Sequence, residues 1–183
     1  LDDVSWQTAI DHLASIDDSL ARALIWGAAW DATRDGETNP RDFVKLVLAN
    51  IATETESTTM MTLLRQLVTT GNLYVNAGAR QQALSQIADG LLNLARTAAA
   101  GSDAQLQFTK FFALFARSPQ QVQTLKSILS GEEQLDGLTI DADLKWELLT
   151  GLVVAGAAGH AEIDALVEQD RTANEIGRAS CRE

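Results

Sequence analysis

Apolar residues recur along the chain at intervals of three and four, the spacing that gathers them on one face of an α-helix. Phe43, Leu46, Val47 and Ile51 form one such set, Met60, Leu63, Leu64 and Leu67 a second, and Leu84, Ile87, Leu91 and Leu94 a third. The rhythm continues through Phe108, Phe111, Phe112 and Phe115, then Val122, Leu125 and Leu129, then Leu148, Leu149 and Leu152, and closes with Ile163, Leu166 and Val167. Strand-like alternation is nearly absent, so the pattern predicts about nine helices.

Polar punctuation supports this division. Residues that cap helix starts stand before the apolar runs: Asp17 or Asp18, Asn39 before Pro40, Ser57, Asp103, Ser118 before Pro119, and Asp141. Gly71, Gly101, Gly131 and Gly156 follow such runs, where a left-handed residue ends a helix most cheaply as glycine. Residues 72–78 and 131–139 read as the loosest connections. Short links between successive antiparallel helices, with no low-complexity linker and no strict internal period, predict one all-α domain. The expected architecture is an irregular armadillo- or HEAT-like stack forming a right-handed superhelical, concave domain.

Composition fits a folded chain, with 46% hydrophobic residues in 183. No apolar run approaches the roughly 18 residues of a membrane span, so no membrane partner is expected. The net charge of −11, with 14 basic residues scattered along the chain, argues against a nucleic-acid partner. The single cysteine, Cys181, excludes an internal disulfide framework. It lies in Glu175-Ile176-Gly177-Arg178-Ala179-Ser180-Cys181-Arg182-Glu183, a run that reads as translated sequencing adapter, so residues 1–174 are expected to be the native domain and 175–183 not. The start at Leu1, without Met, is expected to be internal to a longer protein, with any targeting segment upstream.

Searches for chemistry along the chain return little. A helical zinc-peptidase site needs two histidines at i and i+4 flanking a glutamate. The chain has only His12 and His160, each without a second histidine within a turn. No Gly-x-Ser-x-Gly elbow and no glycine-rich phosphate loop is present. The segment from Asp31 to Asp42 places Asp31, Thr33, Asp35, Gly36 and Asp42 at positions 1, 3, 5, 6 and 12 of an EF-hand-like loop. Asp42 is one methylene short of the glutamate that position 12 needs, and Arg34 sits inside the would-be ligand shell, so a helix-ending turn is the expectation. The acidic pairs Asp17-Asp18, Glu54 with Glu56, Glu132-Glu133 and Asp141 with Asp143 are expected to serve helix starts. Trp26 and Trp30, one turn apart, are expected to fill core volume with the indole N–H finding a partner, as are Trp6, Trp146 and the Phe108–Phe115 stripe. No catalytic, cofactor-binding or metal-binding residue is therefore assigned within this chain.

The stretch from Leu20 to Gly36, Leu-Ala-Arg-Ala-Leu-Ile-Trp-Gly-Ala-Ala-Trp-Asp-Ala-Thr-Arg-Asp-Gly, with Asp42-Phe43-Val44 after it, resembles the C-terminal helical, endoplasmic-reticulum-aminopeptidase-like domain of actinobacterial-type aminopeptidase N, a gluzincin zinc aminopeptidase. So do Gly101 to Phe108 and the segments Asp141 to Leu149, Glu162 to Ala165 and Asp170 to Ala173. The resemblance implies a non-catalytic domain of a zinc-dependent exopeptidase that releases N-terminal residues from peptides in the cytoplasm. It implies an upstream catalytic domain as the main partner and a peptide as the substrate there. The zinc ligands, the substrate-amine motif and the catalytic tyrosine of the family lie in parts absent from this sequence, so none is carried over. This domain would enclose the substrate chamber and limit peptide access. A free-standing helical-repeat scaffold that binds a protein partner is the alternative left open by the residues themselves.

Overall fold

The computed structural model describes residues 2–170. The expected boundary at residue 174 and the adapter-like run 175–183 lie outside them. The described residues form nine α-helices and no strand: α1 (Asp3–His12), α2 (Ser19–Arg34), α3 (Pro40–Asn50), α4 (Ser57–Thr69), α5 (Ala77–Thr97), α6 (Asp103–Phe115), α7 (Pro119–Ser130), α8 (Ala142–Val154) and α9 (His160–Gln169).

Most helix starts are capped by a polar side chain, and two of the expected caps are instead the first residue of their helix. Asp18, Asn39, Ser118 and Asp141 accept backbone N–H bonds from the first turns of α2, α3, α7 and α8. Ser102, not Asp103, caps α6, and Asp103 instead sits in the first turn, where its charge meets the positive end of the helix. Ser57 is the first residue of α4, preceded by Glu56, whose side chain makes no capping bond. Gly36, Gly101, Gly131 and Gly156 take positive φ, and the left-handed Gly131 ends α7.

Gly71 behaves differently from the expected helix terminator. It lies in a π-helical turn, Thr70–Tyr74, that continues α4, so the expected loose segment 72–78 is mostly helical, residues 72–74 extending α4 and 77–78 opening α5. A Cβ added at Gly71 would come within 2.9 Å of Leu84 and 3.1 Å of Ile87, so glycine there permits close packing of α4 on α5. The segment 131–139 is also held down. Leu135 is buried, and a Cβ on Gly137 would lie 2.7 Å from the Gly101 nitrogen, a backbone approach only glycine allows.

The helices pack in two interleaved rows. α3 lies against both α1 and α5, while α6 lies against both α4 and α8. The rows meet most extensively between α5 and α6. This next-but-one packing is what stacked antiparallel helix pairs require. One continuous core runs from Trp6 to Leu152, with Phe43, Leu64, Leu91, Phe112 and Leu148 inaccessible to solvent. No helix among the described residues is long and apolar enough to cross a membrane.

Candidate functional site

The sequence-level candidates for chemistry do not converge. His12 closes α1 and His160 opens α9, both exposed. Among the described residues no group of three or more His, Cys, Asp or Glu side chains is placed to hold a metal ion, so these residues do not fit a zinc site. In the EF-hand-like segment, Asp31 and Thr33 are still helical and Thr33 donates its hydroxyl to the Ala29 carbonyl at 2.8 Å. Arg34 bridges Asp31 at 3.2 Å and Asp35 at 3.1 Å, an arrangement that also holds its guanidinium above the ordinary value, chiefly through the Asp35 hydrogen bond. Asp42 pairs with Lys45. The segment is a helix end followed by a cap, as its residues imply.

Of the acidic pairs, Asp18 and Asp141 cap helices as expected. Glu133 instead pairs with Arg96 of α5 at 2.6 Å. Glu54 departs furthest from the expected capping role. Its carboxylate accepts Arg22 Nε at 3.0 Å, Arg22 Nη2 at 3.4 Å and Trp26 Nε1 at 2.8 Å. The Arg22 and Glu54 side chains are only 7% and 2% exposed. Arg22 further donates Nη1 to the carbonyls of Ile16 and Asp17, so every direction of the fork is used. Hydrogen bonding to Glu54 is the main reason its guanidinium is held above the ordinary value. This cluster ties α2 to the turn before α4.

Three more buried polar side chains act as cross-links that periodicity does not reveal. Asn50 accepts from the Ala14 nitrogen and donates to the Ile10 and Leu46 carbonyls, joining α1 to α3. Gln105 accepts from the Gly101 nitrogen and donates to the Ala95 and Asp136 carbonyls, closing the α5–α6 corner over the 131–139 segment. Gln121 accepts from the Arg117 and Ser118 nitrogens and donates to Ser85 and Asp89 of α5. Their common signal in the sequence is an amide residue at a position the helical rhythm assigns to the core.

The tryptophans mostly fill volume. Trp26 is buried with its N–H on Glu54, and Trp30 packs its ring 5.5 Å from Phe43 and 5.8 Å from Tyr74. Trp146 Nε1 donates to Asp170 at 2.7 Å, tying α8 to the end of α9. Trp6 is buried, but its Nε1 has no hydrogen-bond partner among the described residues.

A groove of about 440 Å3 crosses the α4–α6–α8 row. Met61, Phe111 and Leu114 line it with apolar area, while Arg65, Lys110 and Glu147 supply charge and Gln107 and Thr150 neutral hydrogen-bonding groups. Lys110 Nζ lies 3.9 Å from Glu147 Oε1, a long contact across two helices. Gly151 sets the depth on one side, because a Cβ there would meet the Ala113 carbonyl of α6 and α8 could not sit so close. Mixed charge beside apolar area suits a peptide, whose main chain offers polar groups and whose side chains offer apolar area. The groove holds no arrangement of nucleophile, base and oxyanion donors.

The chain is 38% identical to aminopeptidase N of Streptomyces lividans over 173 residues, which is 94% of this chain but 20% of that protein. It spans about a fifth of the length of its relative. The model of one family, the ERAP1-like C-terminal domain, matches residues 1–182. A match over nearly the entire chain means that the chain belongs to the ERAP1-like C-terminal domain family, as the C-terminal part of an aminopeptidase N homologue.

Proposed function

We propose that this domain, residues 1–174, walls the peptide chamber of a cytoplasmic zinc aminopeptidase, with the metal and the bond-cleaving residues on the catalytic domain that precedes it. The observation that carries the reading is the 38% identity to aminopeptidase N across almost the entire chain. Two structural features support it. The next-but-one helix packing supports a stack of antiparallel pairs, and a stack that curves has a concave side able to close over a substrate. The α4–α6–α8 groove then supplies a surface that contacts the distal part of a peptide without acting on its first bond.

When bound on the catalytic domain, zinc supplies the activated water for hydrolysis. This chain's contribution is to exclude bulk solvent and oversized substrates and to orient the peptide. Expressed alone, residues 1–174 give a helical circular dichroism spectrum and release no amine from aminoacyl-anilides in added zinc. The full reading frame carries a His-Glu-x-x-His helix with a downstream Glu and turns the same substrates over. Chelator-sensitive turnover by residues 1–174 alone overturns this reading, as does a full frame without the zinc motif.

A further inference from the structure

A soluble helix at the outside of a stack presents polar residues to water, yet α2 does the opposite. Its buried side carries Arg22, Trp26 and Ala29, while the opposite side carries Leu20, Ala23, Leu24, Gly27 and Ala28, all exposed. Leu20 and Leu24 are each 67% exposed. An added Cβ at Gly27 would meet nothing within 4 Å. The stripe repeats at the three-and-four spacing of a buried helix face, and its small residues form a shallow channel beside a leucine ridge, the shape that receives another helix at close range. At the same end of the molecule an apolar groove of about 540 Å3 runs between α1 and α2, from Val4 to Ile25.

We propose that the outer face of α2 is covered by a helix from the part of the protein preceding Leu1, the next member of the same stack. The inference rests on the reading of the chain as the C-terminal part of a longer protein, but not on peptide cleavage. In the middle of the stack next-but-one helices are neighbours, α3 between α1 and α5 and α6 between α4 and α8, while α2 packs chiefly against α3. A next-but-one neighbour on the N-terminal side of α2 falls ahead of residue 1. The homologous aminopeptidase is about five times as long as the matched segment, so ample chain is available to supply it.

Charge argues against a second copy as the occupant. Asp17 and Asp18 flank one end of the stripe, and Asp31 and Asp35, partly offset by Arg34, the other. An antiparallel pairing of two copies sets two ends of net negative charge against each other, on a chain whose net charge is already −11.

Maleimide labelling of Leu24→Cys, in a Cys181→Ser background, tests the proposal when compared with Gln86→Cys on the polar outer face of α5. Circular dichroism confirms that both variants keep the parent's helix content. In the 183-residue chain both positions label at similar rates, independent of protein concentration. In the full-length protein the rate at position 24 relative to position 86 falls about tenfold or more, because labelling then requires local opening. An unchanged ratio in the full-length protein overturns the proposal. So does slowing at position 24 in the 183-residue chain as its own concentration rises, which identifies a second copy as the occupant. Aminoacyl-anilide turnover by the full-length protein is scored separately, so failure of the functional reading and failure of the covering helix are distinguishable.

Discussion

The two longest helices, α2 and α5, obey the same rule on one side and opposite rules on the other. Both bury a stripe of apolar residues, with Leu91 of α5 and Ala29 of α2 fully enclosed. Away from that stripe, α5 shows Gln81, Gln82, Gln86, Asp89, Asn93 and Arg96 to solvent, whereas α2 shows Leu20, Ala23, Leu24, Gly27 and Ala28. α5 is complete with the neighbours it has. The composition of α2's outer face is that of an interior helix. Amphipathicity, read face by face, therefore distinguishes a finished surface from one shaped for a partner.

Substitution on the two helices should separate them sharply. Leu91→Ala leaves a cavity in the middle of the core and should cost about 2–5 kcal/mol in urea unfolding of the 183-residue chain. Leu24→Ala on the same chain should change stability by less than about 0.5 kcal/mol, because its side chain is already in water. A loss of more than about 2 kcal/mol at Leu24 would mean that the outer face of α2 is packed within this chain. The buried side of α2 is sensitive for a different reason. Glu54→Ala strands the Arg22 guanidinium in the interior and should cost about 3 kcal/mol or more, whereas the usual solvent-exposed carboxylate costs little. Simultaneous replacement of Arg22 and Glu54 by apolar residues should recover much of that loss, which thermal melts can show.

Gly151→Ala comes next. Its new methyl meets the backbone of Ala113, which cannot rotate away, so α6 and α8 must separate at an expected cost of about 1–3 kcal/mol. Gly27→Ala, on the open face of α2, should instead be neutral or stabilising, because alanine is the better helix former and meets nothing there. The smallest effect is electrostatic. Glu162 accepts the Gly159 backbone N–H at 2.7 Å, which holds its carboxyl below the usual carboxylate range. The unfolded chain then binds its proton first as pH falls. The contribution of Glu162 is therefore fully present above the ordinary carboxylate pKa and is lost as pH drops through the lowered folded value. Urea midpoints of Glu162→Gln measured from neutral pH down to about pH 3 should show a shallower acid decline than the parent.

Much of this organisation was legible in the residues. The three-and-four spacing gave the helices, and Asp18, Asn39, Ser118 and Asp141 marked four starts because a cap acts on its own first turn. Ser57 and Asp103 misled by one position: Ser102, beside Asp103, offers the same capping chemistry, while α4 starts after Glu56 with no side-chain cap. Gly71 was invisible as a packing residue, because what it accommodates, Leu84 and Ile87, lies on another helix. The same reason hid Glu54, Asn50, Gln105 and Gln121. Their roles depend on partners up to 40 residues away, whereas periodicity senses one turn at a time. The groove across α4, α6 and α8 likewise exists only once three separated segments stand side by side.

A domain proposed to govern how a peptide is held, with the chemistry elsewhere, should make the full-length protein respond to substrate length. Lys110→Glu reverses a charge in the α4–α6–α8 groove without touching the core. For an aminoacyl-anilide, too short to reach the groove, kcat/KM should stay within about twofold of the parent. For a peptide of about nine residues KM should rise about fivefold or more with kcat little changed, the pattern of lost uniform binding. Equal effects on both substrates, or none on either, would contradict a peptide-contacting role for this groove.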